Sequence, residues 1–403
     1  MATLTLPPAV KPWLRDHLLL GLTPREYVKS LANPWDLFAM AVFAIGIPLY
    51  IGRFVFGLGA VTNLSQTTPW GLWIGFDMLC GVALAAGGFT LTAAVHVFGL
   101  ERYHAVVKPA VLTGFLGYFF AVLGLLADLG QPWRVWYPLG VSWGTTSVMF
   151  EVGWCVALYT TVLFLEFSPA LLSWLGLGKL GQRLAQLTVG LTVLGVMLST
   201  LHQSSLGSLF LLAPGRIHPL WYSPMIPVLF FVSAIAAGLS MVIVESSLSH
   251  RVFRDRLGRV HHDIDSLMLG LGRGAALVLF AYFFLKLQAL VASHRLDLLA
   301  TPLGAWYLVE LLGFVALPCA LFAFGVRRGS AFMVRAAAAI TVIGVVVNRL
   351  NVSLVAFDYA LPVRYVPSWM EVAVSIALVT ALIQTFRFIV NRMAILEADS
   401  PHS

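Results

Sequence analysis

Five residues in this chain of 403 join side chains able to move protons or hold a polar ligand to strongly apolar surroundings: Asp77, Glu151, His202, Glu245 and Arg349. Where such a stretch crosses a bilayer, an ionisable group costs about 2.5–3.5 kcal/mol on insertion unless paired or hydrated. Each is therefore a candidate for function or, on the competing view, for an interhelical pair that fixes packing. Imidazole titrates near neutrality and can exchange protons or hydrogen-bond a carbonyl. His202 opens Leu201-His202-Gln203-Ser204-Ser205-Leu206-Gly207-Ser208, read as the point where a helix reaches one membrane face. Asp77 and Glu151 each fall some turns inside their spans, about 10 Å beneath that same face at 1.5 Å per residue. Arg349, in Asn348-Arg349-Leu350-Asn351-Val352-Ser353, needs an acid, for which Asp77, Glu151 and Asp358 are available. Glu245 lies deep enough to belong to a proton path. Glu166, Arg53, Asp128, Lys286, Glu310 and Glu371 fall near span ends and read as structural, as does His96.

The elements that must position these groups follow from composition. The chain is 59% hydrophobic and 11% charged, against about 45–50% and about 25% in soluble domains. It carries 12 Trp, 11 Tyr and 27 Phe, rings suited to membrane interfaces. The expectation is an all-α integral membrane protein of about ten transmembrane helices, each needing about 20 apolar residues. They run near 36–56, 70–98, 108–128, 145–168, 184–204, 222–248, 267–292, 304–325, 331–354 and 369–390. Residues 1–35 form an N-terminal arm with no apolar stretch long enough for a signal peptide, 36–390 the membrane domain and 391–403 a tail. With ten spans the termini share a side. Seventeen Lys and Arg fall on that side, Arg254, Arg256 and Arg259 among them, against five opposite: Arg53, Arg134, Arg216, Arg295 and Arg364. This bias makes the terminal side cytoplasmic and explains the net charge of +7 without nucleic acid.

Cys80, Cys155 and Cys319 stand alone, with no CxxC and no Cys/His cluster, which argues against a cluster, zinc site or disulfide in the chain. A transmembrane haem needs axial histidines at matched depths. Only His96 and His202 approach such positions, at opposite faces, so no haem and no metal site is expected. Acids, His, Arg and Trp beneath the outer loops suit a quinone, whose tail enters from the bilayer and whose carbonyls need donors and protons. A proton-coupled transporter or ion channel is the rival, although no inverted repeat is evident; a purely structural anchor is the third reading. Gly87-Gly88 would permit close helix packing.

Several runs carry a family resemblance. Pro69-Trp70-Gly71-Leu72-Trp73-Ile74-Gly75-Phe76-Asp77, Phe150-Glu151, His202 to Leu209, His218-Pro219-Leu220-Trp221, Glu245-Ser246-Ser247-Leu248 and Arg349 to Phe357 occur in one order across about residues 50–385. Together they resemble the HybB-type membrane subunit of nickel-iron hydrogenases, within the wider NrfD/PsrC-like family. The resemblance implies a haem-free, ten-helix subunit in a bacterial or archaeal cytoplasmic membrane. It would pass electrons between a quinone, menaquinone or ubiquinone, and a ferredoxin-like iron-sulfur partner. Nickel-iron hydrogenase large and small subunits would sit on the periplasmic face; other members of the family serve molybdenum or multihaem cytochrome complexes. On this view His202 and Asp77 are carbonyl or proton-transfer groups, Trp70 and Trp73 wall the ring, Arg349 is the electrostatic anchor, and Glu151 and Glu245 relay protons.

Overall fold

The computed structural model describes residues 10–253, 264–362, 364–393 and 395–396. Arg254, Arg256 and Arg259 lie outside them. Among the described residues ten helices are long and apolar enough to cross a membrane: α1 Pro34–Phe56, α2 Trp73–Val97, α3 Glu101–Asp128, α4 Val148–Trp174, α5 Thr188–Leu212, α6 Ile226–Val252, α7 Ile264–Ala292, α8 Pro302–Arg328, α9 Ala331–Val355 and α10 Trp369–Val390. The chain is a multi-pass integral membrane protein. Among the described residues no strand forms; one antiparallel bridge joins Ile217 and Phe357.

Local chemistry sets the helix starts. Asn33, Ser147, Thr301 and Ser330 each cap a helix by accepting a backbone N–H three residues on, filling donors that a first turn leaves open. Ser368 and Glu371 form a reciprocal capping box on α10. Gly329, at φ 63°, ends α8 in the left-handed conformation that favours glycine.

Antiparallel neighbours α2 to α5 make one half of the bundle and α6 to α9 the other; α1 packs on α10, which leans on α3. The halves meet where α6 lies against α2 and α5 and where α9 touches α2. That seam needs glycine. A Cβ on Gly238 would stand 2.6 Å from the backbone of both Ala86 and Gly87, and one on Gly87 would stand 2.8 Å from Val242. The packing role expected of Gly87 is the one it has. Both terminal segments meet at one end of the bundle, where Arg392 donates to the Leu18 carbonyl at 2.6 Å and to the Tyr27 hydroxyl at 2.9 Å.

The largest departure from the expected spans is α5, which continues to Leu212 rather than stopping near 204. Its Ser/Gln/His run looked like a helix end because it is polar. It is instead the helix face turned into the core, with His202 and Gln203 fully buried.

Candidate functional site

The short connection between α7 and α8 puts residues at similar offsets from it at similar depth on facing helices. Lys286 precedes the end of α7 by less than two turns and Glu310 follows the start of α8 by about two. They pair at 2.8 Å, both side chains buried. Glu310 sits in a π-helical turn, Val309–Ala316, the kind of widened turn found often at functional sites. Its carboxylate also accepts from Trp221 Nε1 at 2.8 Å, Asn348 Nδ2 at 2.7 Å and Asn351 Nδ2 at 2.6 Å. The Lys286 ammonium lies 5.1 Å from the Tyr307 ring centre.

Arg349 enters this network through Asn348, whose amide oxygen accepts from Nη1 at 3.0 Å. Its Nη2 donates to the Phe230 carbonyl at 3.0 Å and to Ser233 Oγ at 2.9 Å, and the guanidinium lies 3.7 Å from the Phe230 ring centre. None of the three acids expected to pair with it does so. Asp77 accepts from Ser375 Oγ at 2.5 Å, Glu151 from Ser205 Oγ at 2.6 Å, and Asp358 is paired by Arg216 at 2.5 Å. Lys286 and Glu310 were each read as structural near a span end, and they are; what reading residue by residue missed is that they pair with each other. Their mirrored offsets across one hairpin were the available signal.

Away from the terminal end, Trp70 stacks on Phe357 at 5.3 Å and meets Phe210 edge-on at 5.8 Å; Phe210 in turn lies 5.7 Å from Phe230. A cleft opens beside Trp70 and Phe357, bounded by Asp358, Tyr359, Arg364 and Tyr365. The loops over it are clamped. Arg216 adds a hydrogen bond to the Thr67 carbonyl at 2.6 Å, and the His218 N–H donates to the Ala356 carbonyl at 2.9 Å. Burial holds the His218 imidazole below its ordinary pKa. The Tyr365 phenol is held above its own by burial and by the Glu371 carboxylate it donates to.

Trp73 packs in a different cluster from Trp70. Its indole, 1% exposed, packs with Val61, Ala127, Val374 and Leu378 and donates to the Glu371 carbonyl at 3.2 Å. Asp77 follows it in the π-helical turn Trp73–Met78 and is buried against α10. Glu151 lies in the first turn of α4 and is exposed, so the two carboxylates expected at one depth belong to different surroundings. Arg53 donates to the Ala127 and Leu129 carbonyls, a structural tie between α1 and α3.

His202 lies well below the outer end of α5. Its ring is 5.5 Å from Tyr118, which is 4.7 Å from Tyr159. Gln203 Nε2 donates to the Val82 carbonyl at 3.0 Å. Both ring nitrogens of His202 are buried without a hydrogen-bond partner, in a polar set that includes the buried hydroxyls of Tyr118, Tyr159, Ser199 and Ser240, Gln203 and Glu245. Glu245 on α6 faces Thr113 on α3. Buried polar atoms are nearly always partnered, so this set, spread over α3, α4, α5 and α6, is suited to exchangeable protons and water. Among the described residues no group of three or more His, Cys, Asp or Glu could hold a metal ion.

Residues 60–357, which contain nearly all of these groups, match the family described as polysulphide reductase, NrfD. The chain belongs to the NrfD family. It is 51% identical over 371 residues to a protein of Nitratidesulfovibrio vulgaris, covering 91% of this chain and 96% of the other. It is 33% identical to the probable Ni/Fe-hydrogenase 2 b-type cytochrome subunit of Escherichia coli, over 91% of this chain and 93% of that protein. It is also 28% identical to the menaquinone reductase integral membrane subunit of N. vulgaris, over 86% and 87%. The match to this NrfD family agrees with the resemblance carried by the Trp70–Asp77, His202 and Arg349 runs.

Proposed function

We propose that the chain is the quinone-reactive membrane subunit of a respiratory oxidoreductase, a nickel-iron hydrogenase in the first instance. A ferredoxin-like iron-sulfur partner and the hydrogenase subunits would dock over the Trp70 end, on the periplasmic side. The observation that carries this reading is His202, fully buried with both ring nitrogens unpartnered among hydroxyls of Tyr118, Tyr159 and Ser199. In an apolar bundle, such donors suit an acceptor that arrives from the bilayer, and a quinone carbonyl is one. On reduction a quinone takes up two electrons and two protons.

In this reading His202 and Tyr118 donate to the carbonyl and pass protons. Gln203 holds α5 against α2 through the Val82 carbonyl. Trp70, with Phe210 and Phe357, forms the aromatic rim, while Trp73 is packing. Arg349 supplies a fixed positive charge; Asp77, held by Ser375, and Glu151, held by Ser205, are proton groups toward the outer loops. Glu245 serves the terminal side, which is cytoplasmic by the charge bias. His202 faces tyrosines rather than a second histidine, which favours a haem-free chain. The quinone, menaquinone or ubiquinone, is set by the host.

The test is quinone-linked turnover of the complex purified through a tag on this chain, with metal analysis of its partners. His202→Gln and Tyr118→Phe should each lower turnover about tenfold or more while the melting temperature holds. Unchanged turnover and quinone affinity in both would place the site elsewhere. Co-purifying molybdenum or multihaem subunits in place of nickel would keep the quinone role and change the electron source. A metal-free chain that moves protons or solute alone would favour the transporter.

A further inference from the structure

At the terminal end of the second half of the bundle, a groove of about 790 Å³ opens between the start of α3 and the walls of α7 and α8. Apolar side chains such as Leu91, Leu239, Leu277 and Phe280 line it, together with Arg102, Arg273 and Arg327 and no acidic residue. All three arginines are exposed. Arg102 and Arg327 sit in the end turns of α3 and α8, but Arg273 lies inside α7, about 14 Å from the helix end at 1.5 Å per residue. No acid among the described residues pairs with any of them.

The arginines converge. A Cβ on Gly270 would stand 3.2 Å from Arg102 Nη2, and residues three apart share a helix face. Arg102 therefore reaches α7 one turn from Arg273, steadied by the Tyr103 ring 4.5 Å beneath its guanidinium. Three guanidiniums beside an apolar groove on bilayer-facing helices leave a positive charge that no acid among the described residues answers. An intramembrane arginine without an acid is costly. Phosphate answers it, because guanidinium binds phosphate oxygens in a bidentate fork.

We propose that this groove binds an anionic phospholipid of the terminal-side leaflet, its phosphate between Arg102 and Arg273, Arg327 at the rim, and its acyl chains along Leu277 and Phe280. Basic pockets between transmembrane helices recognise such headgroups. A quinone is neutral and has no use for three fixed charges. A second copy of this chain would have to bring acids to the groove.

The experiment is native mass spectrometry and thermal melting of the full chain, with whatever subunits accompany it, in nanodiscs of phosphatidylcholine with or without a minor fraction of cardiolipin or phosphatidylglycerol. The wild type should retain anionic lipid selectively and melt higher when it is present. Arg273→Gln should weaken retention about fivefold, as expected for one Arg near a charged surface, and the triple Arg102→Gln/Arg273→Gln/Arg327→Gln should abolish both effects. The triple Arg→Lys variant, which keeps the charge but not the fork, should retain anionic lipid more weakly than wild type and more strongly than the triple Gln variant, separating lipid loss from misfolding. Equal retention of phosphatidylcholine, retention unchanged in the triple Gln variant, or occupation of the groove by quinone or by a second copy would each overturn the proposal.

Discussion

Lys286 on α7 and Glu310 on α8 form a buried ion pair at 2.8 Å, and the carboxylate of that pair is the meeting point of donors from three elements, α7, α9 and the loop before α6, with Arg349 tied to it through Asn348. Taking two ions out of water is unfavourable, and their attraction repays it only where the remaining lone pairs are filled. Here they are filled. The pair holds the hairpin of α7 and α8 against α9 and sets where Arg349 stands.

Removing one partner should therefore cost more than removing both charges. Glu310→Gln or Lys286→Met alone is expected to destabilise by about 3–5 kcal/mol, and the double variant Lys286→Met/Glu310→Gln by less than the sum. Thiol-reactive melting suits the measurement, since Cys80 and Cys155 are buried. Additive losses would mean that the two groups are not coupled.

The two tryptophans of the Trp70–Trp73 run should separate by readout. Trp73→Ala removes a buried indole from the contact of α2 with α10 and should cost about 3–5 kcal/mol of stability. Trp70→Ala removes a ring stacked on Phe357 and should raise the KM for quinone with a smaller change in melting. The reverse pattern would make Trp73 the ring wall after all.

The fold was legible because each span is long and apolar, and helix number and order follow from that alone. Pairing was not. The polarity of Gln203, Ser204 and Ser205 suggested an exposed helix end, whereas only the neighbours across α2 and α4 tell that this face is interior. Arg349 illustrates the same limit: three acids lie within sequence reach of the right depth, yet Ser375, Ser205 and Arg216 hold them, and the guanidinium is served by neutral oxygens. The π-helical turns that follow Trp70 and Arg349, Trp73–Met78 in α2 and Asn351–Val355 in α9, touch each other, a contact that no sequence pattern announces.

The crossing of α2 and α6 admits no side chain at Gly238. Gly238→Val must push apart two backbones, and overpacking of this kind costs about 1–3 kcal/mol or more. The expected outcome is a lower melting temperature, with Gly238→Ala intermediate. A Gly270→Ala control meets only the ends of the Tyr103 and Arg102 side chains and should be milder.

Acid should loosen the outer loops through His218. Its pKa is lowered in the folded chain by burial, so between that value and the unfolded value of about 6.5 the unfolded state binds more protons. Stability is then full above pH 6.5 or so and falls as pH drops toward the folded value. Melting between about pH 8 and pH 5 should steepen below neutrality in the wild type and less so in His218→Gln; identical profiles would remove His218 as the cause.

Glu245 gives the sharpest separation of stability from function. Its Oε1 is buried without a partner, and a structural carboxylate so placed would be a liability that natural packing removes. Glu245→Gln keeps the shape, retains an acceptor for Thr113 and takes away the ionisable group. Stability should stay level or rise, since the cost of burying an ionisable group is lost while the acceptor for Thr113 is kept. Quinone-linked turnover should fall about tenfold or more, and proton uptake from the terminal side, followed with a pH dye in vesicles of known orientation, should fall with it. Loss of stability with turnover intact would return Glu245 to the packing of α3 against α6.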